Sequence, residues 1–346
     1  MRWKILGGCL LFAAFLFFPL PARAESSAAY AVYDAFSGKF VGEKNADEKR
    51  PAASTAKLMT ALVAAEEGDL SRKVAITWED AAVEGSRAYL MPGEEATLEE
   101  LLCALLLASG NDAASAVARG VAGDAEKFVL LMNRKAEELG LAGTSYENPA
   151  GLDGEGQYTT ARDLALLTEA AMENETVAGI LRKKYFSFGG HTLKNHNRLL
   201  WESDACVGGK TGYTKKAGRC LTSVFERAGR RMIAVTLSDP DDWRDHLAFA
   251  EEFYRDVEEE TVALVFPIRT ADFVREEGSL FAVTRLPLRP GEREKLVFAA
   301  EAPHFLWKIP GEGEAAGFFR ISLGGREIKT GALFFESAPG RRILSG

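Results

Sequence analysis

The stretch CVGGKTGYTKKAGRCLTSVFERAGRRMIAVTLSD, Cys206 to Asp239, reads as extended chain from end to end. Two alternating runs meet at Ala228-Gly229, a pair suited to a tight hairpin, and a glycine-rich run precedes them. Outward toward the N-terminus, YAVYDAFSGKFVGEKN (Tyr30 to Asn45) also alternates and turns at Ser37-Gly38. Helical spacing fills the interval between these two regions. A helix is expected from about Ser54 through TAKLMTALVAAEEG. Consecutive helices are expected from Thr97 to about Gly140, broken at Ser109-Gly110-Asn111 and around Gly120 and Gly123. Another runs from Thr160 to about Asn174, with Asp163 in its first turn. A helix from about Asp242 to Val257 closes the region. Strands on both sides of a helical middle imply an α/β (α+β) architecture: one antiparallel sheet built from both ends of the segment, helices packed on it, and an all-helical part.

From about Thr261 the pattern becomes short alternating runs separated by Gly, Pro and charged turns, with a hairpin signal at Leu323-Gly324-Gly325-Arg326. This reads as a separate small all-β domain. The organisation expected is a signal peptide over residues 1–24, a main domain over 25–262 and the all-β C-terminal domain over 263–346. The signal reading rests on Arg2 and Lys4, the apolar run ILGGCLLFAAFLFFPL, and Ala22-Arg23-Ala24 as a cleavage site. It implies export, to the periplasm or the outer face of the cytoplasmic membrane.

The 346 residues carry 42 Lys and Arg against 50 Asp and Glu; removing 1–24 takes three basic residues and leaves a net charge of −11. An acidic exported chain with four His and no basic run is a poor nucleic-acid binder. No later apolar stretch is long enough to cross a bilayer. No Cys/His spacing suggests a metal, and no cofactor is expected. Cys103 lies in an apolar run and reads as buried filler. Cys206 and Cys220 are equidistant from Tyr213, so a hairpin turning there would face them across strands; a disulfide between them is held open.

Three short motifs carry chemistry. Ser54-Thr55-Ala56-Lys57 opens the first helix, where residues three apart share a face and bring a hydroxyl to an amine. The helix start also offers unpaired N–H groups. Each feature has a plain structural reading too, as an N-cap and a surface lysine. Ser109-Gly110-Asn111 falls between two helices. Lys-Thr-Gly occurs twice. The copy at Lys210-Thr211-Gly212 follows two glycines and precedes Tyr213, so a peptide has room to lie along that strand. The copy at Lys329-Thr330-Gly331 sits among alternating apolar residues and reads as ordinary strand.

Together, Ser54-x-x-Lys57, Ser109-Gly110-Asn111 and Lys210-Thr211-Gly212 resemble the three-motif set of penicillin-binding proteins. AASTAKLMTALVA, MPGEEATLEELLCALLLASGNDAASAVA, FVLLMNRKAEELGLAGTSYENPAGL, TTARDLA and GGKTGYTKKAGRCL are similar to the low-molecular-mass D-alanyl-D-alanine carboxypeptidases, from about Tyr30 to Tyr254. The resemblance implies the penicillin-binding/β-lactamase-like transpeptidase fold and a peptidoglycan stem peptide ending in D-Ala-D-Ala as substrate, with β-lactam antibiotics as acylating inhibitors. It implies Ser54 as nucleophile, Lys57 as base, Ser109 and Lys210 as proton carriers, and Asn111 as holder of the substrate amide. Gly212 would leave room for the peptide, and the backbone N–H groups of Ser54 and Tyr213 would form the oxyanion hole. Thr211 and Arg244 would bind the terminal carboxylate. The alternative for Arg244 is a helix-surface ion pair with Asp241 or Asp245. Members of the family often end in an amphipathic membrane-anchoring helix; none is visible here, although a membrane-surface location stays open. The competing readings are a serine β-lactamase, for which no Glu-x-x-Leu-Asn stretch is present, a silent wall-binding module, and a transpeptidase, which differs only in its acceptor.

Overall fold

The computed structural model describes residues 26–270, 278–303, 305–306, 310–311 and 313–337. The signal peptide expected at 1–24 lies outside them. In chain order, β1 (Ala29–Asp34) and β2 (Lys39–Lys44) form a hairpin, and a 3₁₀ turn over Ala53–Ala56 leads into α1 (Lys57–Glu67). Then come β3 (Lys73–Ala75), α2 (Trp78–Ala81), β4 (Glu95–Thr97), α3 (Leu98–Leu107), α4 (Asn111–Ala122) and α5 (Ala125–Glu138). Helices α6 (Ala161–Glu173) and α7 (Glu175–Leu181) lead to a small hairpin of β5 (Tyr185–Phe188) and β6 (His191–Lys194), then α8 (Leu199–Glu202). Strands β7 (Cys206–Thr214), β8 (Gly218–Arg227) and β9 (Arg230–Leu237) precede α9 (Asp242–Arg255). The remaining strands are β10 (Glu258–Thr270), β11 (Gly278–Leu288), β12 (Leu296–Glu301), β13 (Phe305–Leu306), β14 (Ala315–Leu323) and β15 (Arg326–Ser337).

The first sheet has the order β2-β1-β9-β8-β7, so strands from both ends of the segment share one sheet and β7 is an edge. Its pairs are antiparallel throughout. Local chemistry sets the helix starts: Thr97 and Glu100 cap α3 reciprocally, and Thr160 accepts from the Asp163 N–H at the start of α6. Helix α4 runs through Gly120, where Val74 packs against it, and stops at Gly123. Helix α1 is buried on nearly every side, from Lys57 through Ala64, which makes it a central helix rather than an amphipathic one. Leu58, Leu62, Leu101, Leu105, Val117 and Leu164 belong to the core that surrounds it. A second core under α9 joins Val32, Leu221, Phe225, Met232, Phe249 and Phe253.

The second sheet has the order β12-β14-β15-β11-β10-β13, with its own core of Val262, Leu264, Leu280, Ile321 and Leu333. One fully buried side chain ties the two sheets together. Arg230, on β9, pairs with Asp34 of β1 and with Glu292 of the second unit at 2.7 Å, and donates to the Pro287 carbonyl at 2.9 Å. Its guanidinium lies over the rings of Phe36 and Phe253. Replacing Arg230 by Met would strand two carboxylates, one of them 1% exposed. The expected loss is about 3–5 kcal/mol, read by denaturant unfolding; a loss below about 1 kcal/mol would mean the network carries little.

The disulfide held open between Cys206 and Cys220 does not form. The β7–β8 hairpin turns over residues 215–217 rather than at Tyr213, so Cys220 faces Gly212 and Cys206 faces Phe225. Five residues of strand separate the two along β8, roughly 17 Å and far beyond disulfide reach. Cys103, Cys206 and Cys220 are all free and buried. Burial pushes each thiol up to about 11.

Candidate active site

The site begins with strain at the entrance to α1. Ala53 adopts φ 46°, an uncommon value for a residue with a side chain, and Ser109, between α3 and α4, adopts φ 59°. Such conformations cost about 1–3 kcal/mol each and persist only where the surroundings enforce them. Behind Ala53 stands Gly151, at φ 80°; a Cβ there would lie 1.9 Å from the Ala53 carbonyl oxygen. The loop around Gly151 is fixed by Asn148, whose Oδ1 accepts from the N–H groups of Ala150, Gly151 and Leu152.

This scaffold brings together two hydroxyl–amine pairs. Lys57 Nζ donates to Ser54 Oγ at 2.8 Å and to the Ala150 carbonyl at 2.6 Å. Lys210 Nζ donates to Ser109 Oγ at 3.0 Å and to the Thr211 carbonyl at 2.8 Å. Both amine-bearing chains are buried, whereas Ser54 is part-exposed and lines an open cavity of about 480 Å³. Gly212 of β7 passes close to the nucleophile turn: a Cβ there would sit 3.0 Å from the Ser54 nitrogen and 3.1 Å from that of Thr55. A side chain at this position would force the strand edge or the turn to give by a few tenths of an ångström.

The electrostatics follow from the burial. Loss of water holds the Lys57 amine well below its ordinary value, and the charge of Lys210 pushes it the same way; the Asp112 carboxylate opposes them. Burial alone lowers Lys210 to about 7. Among the described residues, no group of three His, Cys, Asp or Glu is placed to hold a metal ion.

Asn111 is buried at the start of α4; its Nδ2 donates to the Glu84 carbonyl, and its Oδ1 has no partner among the described residues. Next to it, buried Asp112 accepts from the N–H groups of Ala88 and Leu90 and so anchors the wall segment that contains Ser86. Thr211, Gly212 and Tyr213 line the cavity, Tyr213 being 66% exposed.

Arg244 is not among the residues that line the cavity, and it makes the helix-surface ion pairs that were its alternative reading. It stands in the first turn of α9, 69% exposed, and pairs with Asp241 at 2.8 Å and Asp245 at 3.4 Å. Two nearby carboxylates hold it on the helix surface. The guanidinium at the cavity wall belongs to Arg219, opposite Tyr213 in the β7–β8 register. Asp242 holds it at 2.6 Å, it lies over Trp243, and its Nε is buried without a partner among the described residues. Sequence reading also missed His196, Trp243 and the Ala150 carbonyl. A turn placed at 215–217 instead of Tyr213 would have set Arg219 opposite Tyr213. His246 is a core residue, between the hydroxyls of Ser223 and Thr236. The second Lys-Thr-Gly lies on β15, with Lys329 and Thr330 exposed and opposite Ile321 and Arg320.

This arrangement of helices on an antiparallel sheet is the fold of the penicillin-binding DD-peptidases. A D-alanyl-D-alanine carboxypeptidase from Mycobacterium tuberculosis superposes with a TM-score of 0.63 at 32% identity, covering 66% of this chain and 91% of that one. Penicillin-binding protein 5 from Haemophilus influenzae extends the likeness in fold to 90% of this chain and 96% of its own, with a TM-score of 0.65 at 23% identity. The family of D-alanyl-D-alanine carboxypeptidases called peptidase S11 matches residues 20–241, and the chain belongs to it. Among curated relatives, the D-alanyl-D-alanine carboxypeptidases DacF of Bacillus subtilis and DacC of Escherichia coli are 39% and 38% identical over 58% and 64% of this chain. The matches span 54% and 61% of the length of those two proteins.

Proposed function

We propose that the protein is an exported serine-type D-alanyl-D-alanine carboxypeptidase that removes the terminal D-alanine from peptidoglycan stem peptides. The observation that carries this reading is the 2.8 Å contact between the part-exposed Ser54 hydroxyl and the buried Lys57 amine, beside a free strand edge. Lys57, uncharged, takes the Ser54 proton as Oγ attacks the carbonyl of the penultimate D-Ala. The backbone N–H groups of Ser54 and Tyr213 receive the developing oxyanion. As the C–N bond breaks, Ser109 and Lys210 deliver a proton to the leaving amine, and D-alanine departs. Water then cleaves the Ser54 ester and restores the hydroxyl. The unpartnered Asn111 Oδ1 supports its role as acceptor for a substrate N–H.

The terminal carboxylate is assigned to Thr211 and Arg219 because both line the cavity and Arg244 does not, although Asp242 holds Arg219 at 2.6 Å. Arg219→Ala is expected to raise KM for a D-Ala-D-Ala peptide by about tenfold or more, the worth of a charge-assisted contact. Arg244→Ala should change it less than about twofold. The reverse order in steady-state kinetics would return the role to Arg244. The reading as a whole is tested by incubating the mature chain with penicillin and with a D-Ala-D-Ala pentapeptide. A covalent adduct by mass spectrometry together with D-alanine release supports it. Rapid turnover of the β-lactam without peptide cleavage favours the β-lactamase alternative.

A further inference from the structure

Beside the Ser54 cavity lies a second cavity of about 460 Å³, lined by Lys194, Asn195, His196, Arg198, Trp201 and Glu202. His196 lines both spaces. Three contacts set the second space on the side from which D-alanine departs. The His196 backbone N–H donates to the Leu107 carbonyl at 3.1 Å, two residues before Ser109. The His196 ring lies in the field of Lys210, which together with partial burial holds it below its ordinary value. Arg198 stands 5.4 Å over the Trp243 ring, and Arg219 stands 5.6 Å over the same ring. The second cavity therefore borders the pair that serves the leaving amine, Ser109 with Lys210, and the guanidinium assigned to the leaving carboxylate.

The frame of this space is fixed. Asn195 is buried and donates to the Lys183 carbonyl at 3.0 Å, and Asn197 Nδ2 donates to the Gly208 carbonyl at 3.1 Å. The second bond ties the lining segment to β7, two residues before Lys210. Its charge is not balanced. Arg198 is paired with Glu202 at 2.7 Å, and the neutral His196 ring adds nothing. Lys194 stands 5.3 Å over the ring of Trp201, with no carboxylate at ion-pair distance among the described residues. The ring holds that ammonium without neutralising it. An anion entering the second cavity meets one uncompensated cation.

We propose that the second cavity is an acceptor subsite, through which the Ser54 acyl-enzyme passes its peptide to amino acids that carry a second, side-chain carboxylate. The activity added to hydrolysis is transpeptidation, and the proposal rests on the carboxypeptidase reading above. An amine that replaces D-alanine arrives along the path by which D-alanine left, because the forward and reverse steps share one transition state. Its nitrogen bonds to the acyl carbon as the C–O bond to Ser54 breaks. The nitrogen gives its proton to Ser109 and Lys210, and Lys57 returns a proton to Ser54 Oγ. The α-carboxylate of the acceptor takes the place at Thr211 and Arg219 that the leaving D-alanine vacated. A side-chain carboxylate extending past His196 then meets Lys194.

The test incubates the mature chain with a D-Ala-D-Ala pentapeptide and an excess of either D-glutamate or D-glutamine, acceptors that differ by one carboxylate. Mass spectrometry separates the hydrolysed peptide from the peptide that has gained the new residue. At low ionic strength the ratio of transfer to hydrolysis is expected to be about fivefold higher for D-glutamate, the worth of one charge contact. The preference should fall toward unity in about 1 M salt. Lys194→Gln should lose it and Lys194→Arg should keep it, each hydrolysing the pentapeptide at the wild-type rate when no acceptor is added. Hydrolysis without transfer, equal ratios for the two acceptors, or a preference that survives in Lys194→Gln would overturn the acceptor subsite and leave the carboxypeptidase reading in place. Neither hydrolysis nor transfer would overturn both. Should Lys194→Gln fail to hydrolyse because its fold is lost, the wild-type salt series decides: a preference that salt does not reduce overturns the subsite.

Discussion

Replacing Ser54 by Ala is expected to abolish the penicillin adduct and reduce D-alanine release to background. The variant removes one oxygen from a part-exposed position and leaves the buried faces of the 3₁₀ turn, Ala53, Thr55 and Ala56, untouched. Folding stability should move by no more than about 0.5 kcal/mol, so loss of activity reports chemistry. The experiment is sharp because the site holds a rival. Ser109 with Lys210 is also a hydroxyl hydrogen-bonded to a buried amine. Digestion of the wild-type adduct followed by peptide mapping separates the two: mass on the peptide containing Ser54 supports the proposal, and mass retained in Ser54→Ala sinks it. Lys329→Ala serves as the control. Its side chain is exposed on β15, and turnover should be unaltered.

Replacing Lys57 by Met should lower the acylation rate by about 10²- to 10⁴-fold, the usual worth of a positioned base. Met fills much of the same buried volume without a charge, so the fold should tolerate it. The pH dependence adds an independent reading. Only the neutral amine accepts a proton, so wild-type acylation falls as pH is lowered through the depressed Lys57 pKa. Charge on Lys210 lowers that pKa. Lys210→Gln removes this repulsion and raises the Lys57 pKa, and the acidic limb of the acylation profile should move to higher pH. Stopped-flow acylation across pH measures it. A limb that stays in place in Lys210→Gln, or moves to lower pH, would exclude Lys57 as the group that titrates.

The longer helices and the strands of the first sheet were legible because the chemistry that starts each of them is local, whereas the short β3–β4 and β5–β6 pairs and α2, α7 and α8 were not read. Thr97 with Glu100, Thr160 with Asp163, and the Ala228-Gly229 turn all act over a few residues. The adjacency of Ser54 and Lys57 was legible for the same reason, being one turn of helix. What escaped depends on distant partners or on a single step of register. Placing the β7–β8 turn at Tyr213 rather than at 215–217 shifts every cross-strand partner. That one error suggested a disulfide and hid Arg219 behind Tyr213. For Arg244 the sequence offered both a carboxylate-binding role, implied by the resemblance, and an ion pair with Asp241 or Asp245, and the structure shows the ion pairs. The Ala150 carbonyl reaches Lys57 across 93 residues, and nothing in Asn-Pro-Ala-Gly announces it.

Arg230 has a mechanical consequence. Its charge is shared between Asp34 on one side and Glu292 on the other, so neither unit can swing away without exposing an ion the other has kept dry. The joint therefore behaves as a locked elbow rather than a tether. The mouth around Ser54 is thereby coupled to the orientation of β10–β15 through one buried guanidinium.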